Sequence, residues 1–120
     1  MELSRANVAA QIIEHLCNCN EHGYSQPGRH GTSGSCSVKT DAGTVKIIKG
    51  DRDCSSAVCE AWELALKGTA YDGLNTRYNW TAGMREMFVG SDLFSWKPMS
   101  FNASRGDIYL DEENHTAMCI

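Results

Sequence analysis

Apolar residues recur at Val8, Ile12 and Leu16, four apart, with Ala9 and Ile13 beside them. On a 3.6-residue helix that spacing makes one stripe, and it predicts an amphipathic helix from about Ser4 to Cys19. Ser4 is placed to cap its start and Gly23 to stop the chain shortly beyond its end. The stripe reads as a helix packed on the protein's own core rather than on a membrane or a partner helix. Gly, Ser and Pro crowd the stretch from Gly23 to Gly34, which predicts a surface loop. The runs SCSVKT and TVKIIKG flank Asp41-Ala42-Gly43 and predict a β-hairpin. In DRDCSSAVCEAWELALKG, Ala57, Ala61, Leu64 and Ala65 mark one helical face, Val58 and Trp62 lie beside it, and Gly68 ends the pattern. A shorter helix is expected from near Thr81 through Met84 and Met87 to about Phe88. From Phe94 onward SWKPMS, GDIYL and HTAMCI read as strands, with a polar DEEN turn between the last two. The order predicts an α+β domain, helices packed on a small antiparallel sheet.

Composition narrows the function classes. The 120 residues suit a single domain, and a hydrophobic fraction of 42% suits a folded one. Lys+Arg 11 against Asp+Glu 15 leaves a net charge of −4, which argues against a nucleic-acid binder, since that needs clustered cations. No apolar run approaches the roughly 20 residues of a membrane span, so no membrane insertion is expected. Glu2, Arg5, Gln11 and Glu14 interrupt the apolar stretch a signal peptide would need, so synthesis in the cytoplasm with reduced thiols is expected.

Six cysteines change the picture further: Cys17, Cys19, Cys36, Cys54, Cys59 and Cys119. Without a secretion signal they do not read as a disulfide framework. No C-x-x-C pair marks a structural zinc site, although Cys17 and Cys19 stand near His15, His22 and His30. Buried free cysteine is the commoner explanation, and neither a metal nor a cofactor is expected. Cys54 is different. It opens the best-defined helix directly after Asp53, where the positive end of the helix dipole favours a thiolate, the nucleophilic form. His115 opens the last strand after a tight turn, from where an imidazole could pair with that thiol.

The local words extend this reading. Asp53-Cys54-Ser55-Ser56 before an amphipathic helix, then Gly106-Asp107-Ile108-Tyr109-Leu110, then His115-Thr116-Ala117-Met118, resembles the NlpC-type cell-wall cysteine peptidases of the papain-like superfamily. It is most similar to phage endolysin amidases, which carry a D-C-S-S word and a G-D-I…H-T word in this order. Tyr24-Ser25 looks like the tyrosine that leans on the thiol in that family. The resemblance spans Tyr24 to Ile120; D-C-S-S alone is weak, but the ordered set is specific. It implies a papain-like fold, Cys54 as nucleophile, His115 as general base and later acid, and Tyr24 beside the thiol or at the oxyanion. It implies hydrolysis of an amide in peptidoglycan, either N-acetylmuramoyl-L-alanine or a γ-D-glutamyl link. It requires no metal, and it implies a chain made in the bacterial host cytoplasm and released to the wall.

The family's third polar residue, on the strand after the histidine, has no counterpart, because the sequence ends at Ile120. The expectation is a fragment truncated at the C-terminus, one that self-associates or pairs with a C-terminal piece of the same lysin; otherwise Asp53 or Glu113 takes that role. Asp53, Ser55, Trp80 and Trp96 are the candidate substrate contacts, whereas Trp62, Cys59 and Cys119 read as core. Arg105-Gly106-Asp107 reads as the entry to a strand, and Asn79-Trp80-Thr81 matches a glycosylation sequon. The competing reading is a non-catalytic module that holds zinc through Cys17, Cys19 and the nearby histidines.

Overall fold

The computed structural model describes residues 4–73 and 80–120. The periodicity of the first segment becomes helix α1, Arg5–Asn18, with Val8, Ala9, Ile12, Ile13 and Leu16 buried. Ser4 caps it as its spacing predicts, its hydroxyl accepting from the Asn7 N–H at 3.2 Å. Strands β1 (Ser35–Thr40) and β2 (Gly43–Ile48) form the expected hairpin, in register Val38↔Val45. Gly43 adopts φ +98 at the exit of the turn, a conformation glycine tolerates without cost. The hairpin tip is fastened to α1: Asn7 Nδ2 and Gln11 Nε2 donate to the Asp41 carboxylate at 2.5 and 3.1 Å, and Asp41 N–H donates to Gln11 Oε1 at 2.9 Å.

Helix α2 runs Cys54–Ala65. Asp53 caps it in a capping box: its carboxylate accepts from Ser56 N–H at 2.9 Å, and the Ser56 hydroxyl accepts from Asp53 N–H at 2.9 Å. Two orphan donors at the helix start are thereby satisfied. Helix α3 spans Thr81–Gly90 and buries Met84 and Phe88. Strands β3 (Ile108–Asp111) and β4 (His115–Met118) pair antiparallel, Asp111 opposite His115.

The α+β class is therefore as the pattern predicts, but the described residues form two separate two-stranded sheets, β1-β2 and β3-β4, rather than one. SWKPMS is not a strand. Pro98 has no N–H to give a ladder, and its carbonyl instead accepts from Phe101 N–H at 2.9 Å to close a turn. Both helices of the central pair, α1 and α2, pack face to face, β4 packs on α2, and α3 packs on β3. The shared core joins Val8, Ile12, Val58, Cys59, Trp62 and Phe88. Each such side chain contributes about 1.5–3 kcal/mol on burial. Trp62 is core, as read from the sequence: its indole N–H donates to Gly106 O at 3.2 Å and its ring meets Phe94 edge-on at 4.8 Å. Cys59 is fully buried, and Cys119 is half-buried just beyond β4. The Arg105-Gly106-Asp107 turn leads into β3, and Arg105 reaches back to Asn7 and Glu14 of α1. Asn79 of the sequon lies outside the described residues.

Candidate active site

The entry to α2 is built by a short run of backbone. Arg52 N–H donates to Gly23 O and Ser25 N–H to Arg52 O, each at 3.0 Å, so Tyr24 and Arg52 form a parallel bridge. Tyr24 is thus held beside the chain two residues before Cys54. Under this bridge Arg52 is buried, only 3% exposed. Its guanidinium forks onto Glu60 (Nε to Oε2 2.6 Å, Nη2 to Oε1 3.1 Å) and donates to the carbonyls of Ile48, Gly50 and Asp51. A desolvated arginine is tolerated only with this degree of pairing. The strand end, the loop and the second turn of α2 are locked through one side chain.

Cys54 is half-buried at the first position of α2. Tyr24 and Cys54 are near enough for their side chains to interact electrostatically. Partial desolvation, then the interaction with the neighbouring Cys54 side chain, raise the Tyr24 phenol above its ordinary value. The hydroxyl therefore stays a proton donor at neutral pH. The rest of Tyr24 is open, 65% of the residue being exposed.

Asp53 and Ser55 are buried. Arg29 spans them, its Nε 3.2 Å from Asp53 Oδ1 and its Nη2 2.7 Å from Ser55 Oγ. Their polar atoms are engaged in capping and in this ion pair, so in this geometry they hold the helix start in place. Cys59, one turn deeper, faces the core, and burial pushes its thiol up to about 12.

His115 is exposed. Strand alternation puts it on the outer face of β4 with Ala117, while Thr116 and Met118 turn inward. It lines a cleft of about 950 Å³ together with Trp96, Phe94 and Tyr109. Neither Cys54 nor Tyr24 lines that cleft, and the His115 ring is not hydrogen-bonded to Cys54. Tyr24 and Cys54 are thus brought together; His115 stands apart on a strand that packs against the same helix. Glu113 is exposed in the turn before His115, its N–H donating to Asp111 Oδ1 at 3.1 Å. Trp96 is half-exposed in the cleft under the Arg85 guanidinium, 4.0 Å from the ring centre, and Trp80 is exposed at the start of α3.

A second constellation lies at the other end of α1. His15, Cys19 and His22 present ligand atoms within 4.8 Å of one another. Cys36 joins them from β1, its Sγ 3.6 Å from His15 Nε2 and 3.4 Å from His22 Nε2. Burial, then the charge of His22, lowers the His15 imidazole below its ordinary value and keeps it neutral. Cys17, expected in such a cluster from its place in the sequence, is instead exposed and outside it, and the half-buried His30 lies outside it too. The signal for the correct pairing was helical: His15 and Cys19 are four apart and share a face, whereas Cys17 points away. Cys36 gave no local sign, because only the fold carries it there. Arg29 and Arg52 were likewise unmarked in the sequence.

Compared with protein-family models, with curated proteins and with solved structures, the chain matches none. Among the described residues no helix is long and apolar enough to cross a membrane.

Proposed function

We propose that this domain hydrolyses an amide bond of bacterial peptidoglycan through a thioacyl-enzyme, in a papain-like, NlpC-type arrangement of the kind found in phage endolysins. The observation that carries the reading is a half-buried thiol at the first residue of a capped helix, with Tyr24 carried beside it on the Arg52 bridge. The Cys54 thiolate attacks the carbonyl carbon, and the oxyanion is met by backbone N–H groups at the helix start and by the Tyr24 hydroxyl. The C–N bond then breaks, the amine leaving with a proton from the His115 imidazolium. Water, deprotonated by the same imidazole, cleaves the thioester, releasing a carboxylate and the free thiol. This requires the His115 ring to close onto Cys54 in the working complex; catalytic hydrogen bonds often tighten only when substrate is bound. A further strand on the open edge of β4, from a C-terminal segment or a second copy, would be one way to fix the ring. Trp96 and Trp80 offer apolar faces for the glycan or stem peptide. The bond cut is muramoyl-L-alanine or a γ-D-glutamyl link, and the site of action is the wall after release from the host cytoplasm.

The test is lysis of purified walls, with mass spectrometry of the soluble products. The wild type should release new free amino groups, and Cys54→Ala should remove the activity at least 10³-fold, about the cost of losing a nucleophile. His115→Ala should do the same and abolish the bell-shaped pH profile. Undiminished lysis by Cys54→Ala would overturn the assignment. The second reading, a non-catalytic zinc-binding module, draws on the His15–Cys19–His22 cluster. That cluster shares no residue with Cys54, Tyr24 and His115; a module of that kind would release no new amino groups.

A further inference from the structure

We propose that His15, Cys19, His22 and Cys36 bind one zinc ion, which clips the segment leading into Tyr24 onto the end of α1 and the start of β1. Three elements meet at these side chains. His15 comes from the last turn of α1, Cys19 is its C-cap, His22 lies on the following loop, and Cys36 is the second residue of β1.

The spacing is that of a coordination shell. Zinc bonds of about 2.3 Å to sulfur and about 2.0–2.1 Å to imidazole nitrogen, at tetrahedral angles, put nitrogens about 3.3 Å apart and a sulfur about 3.5 Å from each nitrogen. The His15 and His22 Nε2 atoms are 3.2 Å apart, and Cys36 Sγ lies 3.6 and 3.4 Å from them. Three edges of the tetrahedron are present, and the Cys19 thiol, within 4.8 Å of a ring nitrogen of each histidine, would move in to complete it when the ion binds.

The hydrogen bonding points the same way. His22 Nδ1 is 3.0 Å from Gly50 O, an atom that only accepts, so Nδ1 carries the proton. In the neutral ring Nε2 is then a bare lone pair, aimed into the cluster. Zinc-bound histidines are held in this way, the far nitrogen fixed by a carbonyl. With Cys36 as a thiol the three atoms can be joined by hydrogen bonds, His15 Nε2–H to Sγ and S–H to His22 Nε2; with these protons lost they present three lone pairs to a single cation. Two thiolates neutralise the charge of a divalent ion, and a mixed Cys₂His₂ set selects zinc over harder cations. The backbone is shaped for it as well, since Cys19 N–H donates to His15 O at 2.9 Å and His22 N–H to Cys19 O at 3.2 Å.

The consequence reaches the candidate active site. His22 precedes Tyr24 by two residues, and Gly50, which orients the His22 ring, also donates its N–H to Glu21 O at 3.0 Å. The ion would brace the bridge on which Tyr24 is carried, without touching substrate.

The experiment uses the full chain, purified without chelators. Metal analysis should find about one zinc per chain, and replacement by cobalt(II) should give the visible bands of a tetrahedral site with thiolate charge transfer in the near ultraviolet. Cys36→Ser and Cys19→Ser should each weaken zinc at least tenfold and reduce the charge-transfer band by about half. Cys17→Ser and Cys54→Ala should leave both unchanged. Chelation should speed amide exchange across residues 19–25 while sparing the centre of α2. The proposal fails if the wild type gives no tetrahedral cobalt spectrum, a measurement that needs no variant to fold. It fails equally if Cys17→Ser loses the metal while Cys36→Ser keeps it.

Discussion

Glu60→Gln is the substitution that most directly measures how the entry to α2 is held. Arg52 is 3% exposed, and among the described residues Glu60 supplies its only carboxylate contacts, at 2.6 and 3.1 Å. Glutamine keeps the size and one acceptor oxygen but removes the charge, leaving a guanidinium out of water with three carbonyl acceptors, those of Ile48, Gly50 and Asp51. Breaking a buried pair from one side costs about 3–5 kcal/mol, a large part of the roughly 5–15 kcal/mol that stabilises a domain. The retained carbonyl contacts and the amide oxygen place the expected loss at the lower end, about 3 kcal/mol, or roughly 10 °C in Tm for a chain of this size. Arg52→Met should cost at least as much, because it also strips the donors from those carbonyls. Urea unfolding followed by tryptophan fluorescence gives the value, with an unchanged slope confirming that the same surface is exposed. Glu112→Gln is the internal control: its partner Arg85 is 3.4 Å away and both side chains are 40% exposed or more, so under 1 kcal/mol should be lost. A loss below 1 kcal/mol for Glu60→Gln would refute the reasoning, since Arg52 would then be solvated or paired by other means.

Three further outcomes are expected. Cys59, pushed up to about 12, has a thiolate fraction of about 10⁻⁵ at pH 7, so iodoacetamide followed by peptide mass spectrometry should modify Cys54 and the exposed Cys17 long before it; early labelling of Cys59 would mean that α2 opens. The Tyr24 phenol should ionise above its ordinary value of 10 and fall back toward it in Cys54→Ala, read as the tyrosinate absorbance lost in Tyr24→Phe. Because the folded state holds that proton more tightly, the stability linked to Tyr24 is intact below pH 10 and declines as the pH rises through the folded value; a Tyr24→Phe protein that declines equally would contradict this. Gly106→Ala should destabilise by more than 1 kcal/mol: φ is +95, and a Cβ would stand 2.7 Å from the Ala6 carbonyl oxygen, so the β3–β4 ribbon would be lifted off α1. Thermal unfolding checks it.

What the sequence alone settled is local. The Val8–Ile12–Leu16 stripe, the Ser4 cap, the turn before Gly43 and the burial of Cys59 and Trp62 follow from periods and end-signals acting over a few residues, and they stand as read. The same reasoning failed at SWKPMS, where apolar residues suggested a strand but Pro98 and the absence of a partner strand left a turn. What needed the tertiary structure are the meetings between distant segments. Tyr24 comes beside Cys54 because residues 23–25 lie alongside Arg52, and Arg52 can be buried because Glu60 and three carbonyls surround it. Cys36 reaches His15 and His22 because the hairpin is pinned to α1 through Asp41, which no spacing in the sequence encodes. His115 shows the same divide from the other side. Its word and its strand were legible, but which face of β4 it occupies was decided by the pleat once Thr116 and Met118 turned to the core. Local order follows from backbone sterics and the nearest side chains; a site follows from which apolar faces bury one another, and that is a property of the whole chain.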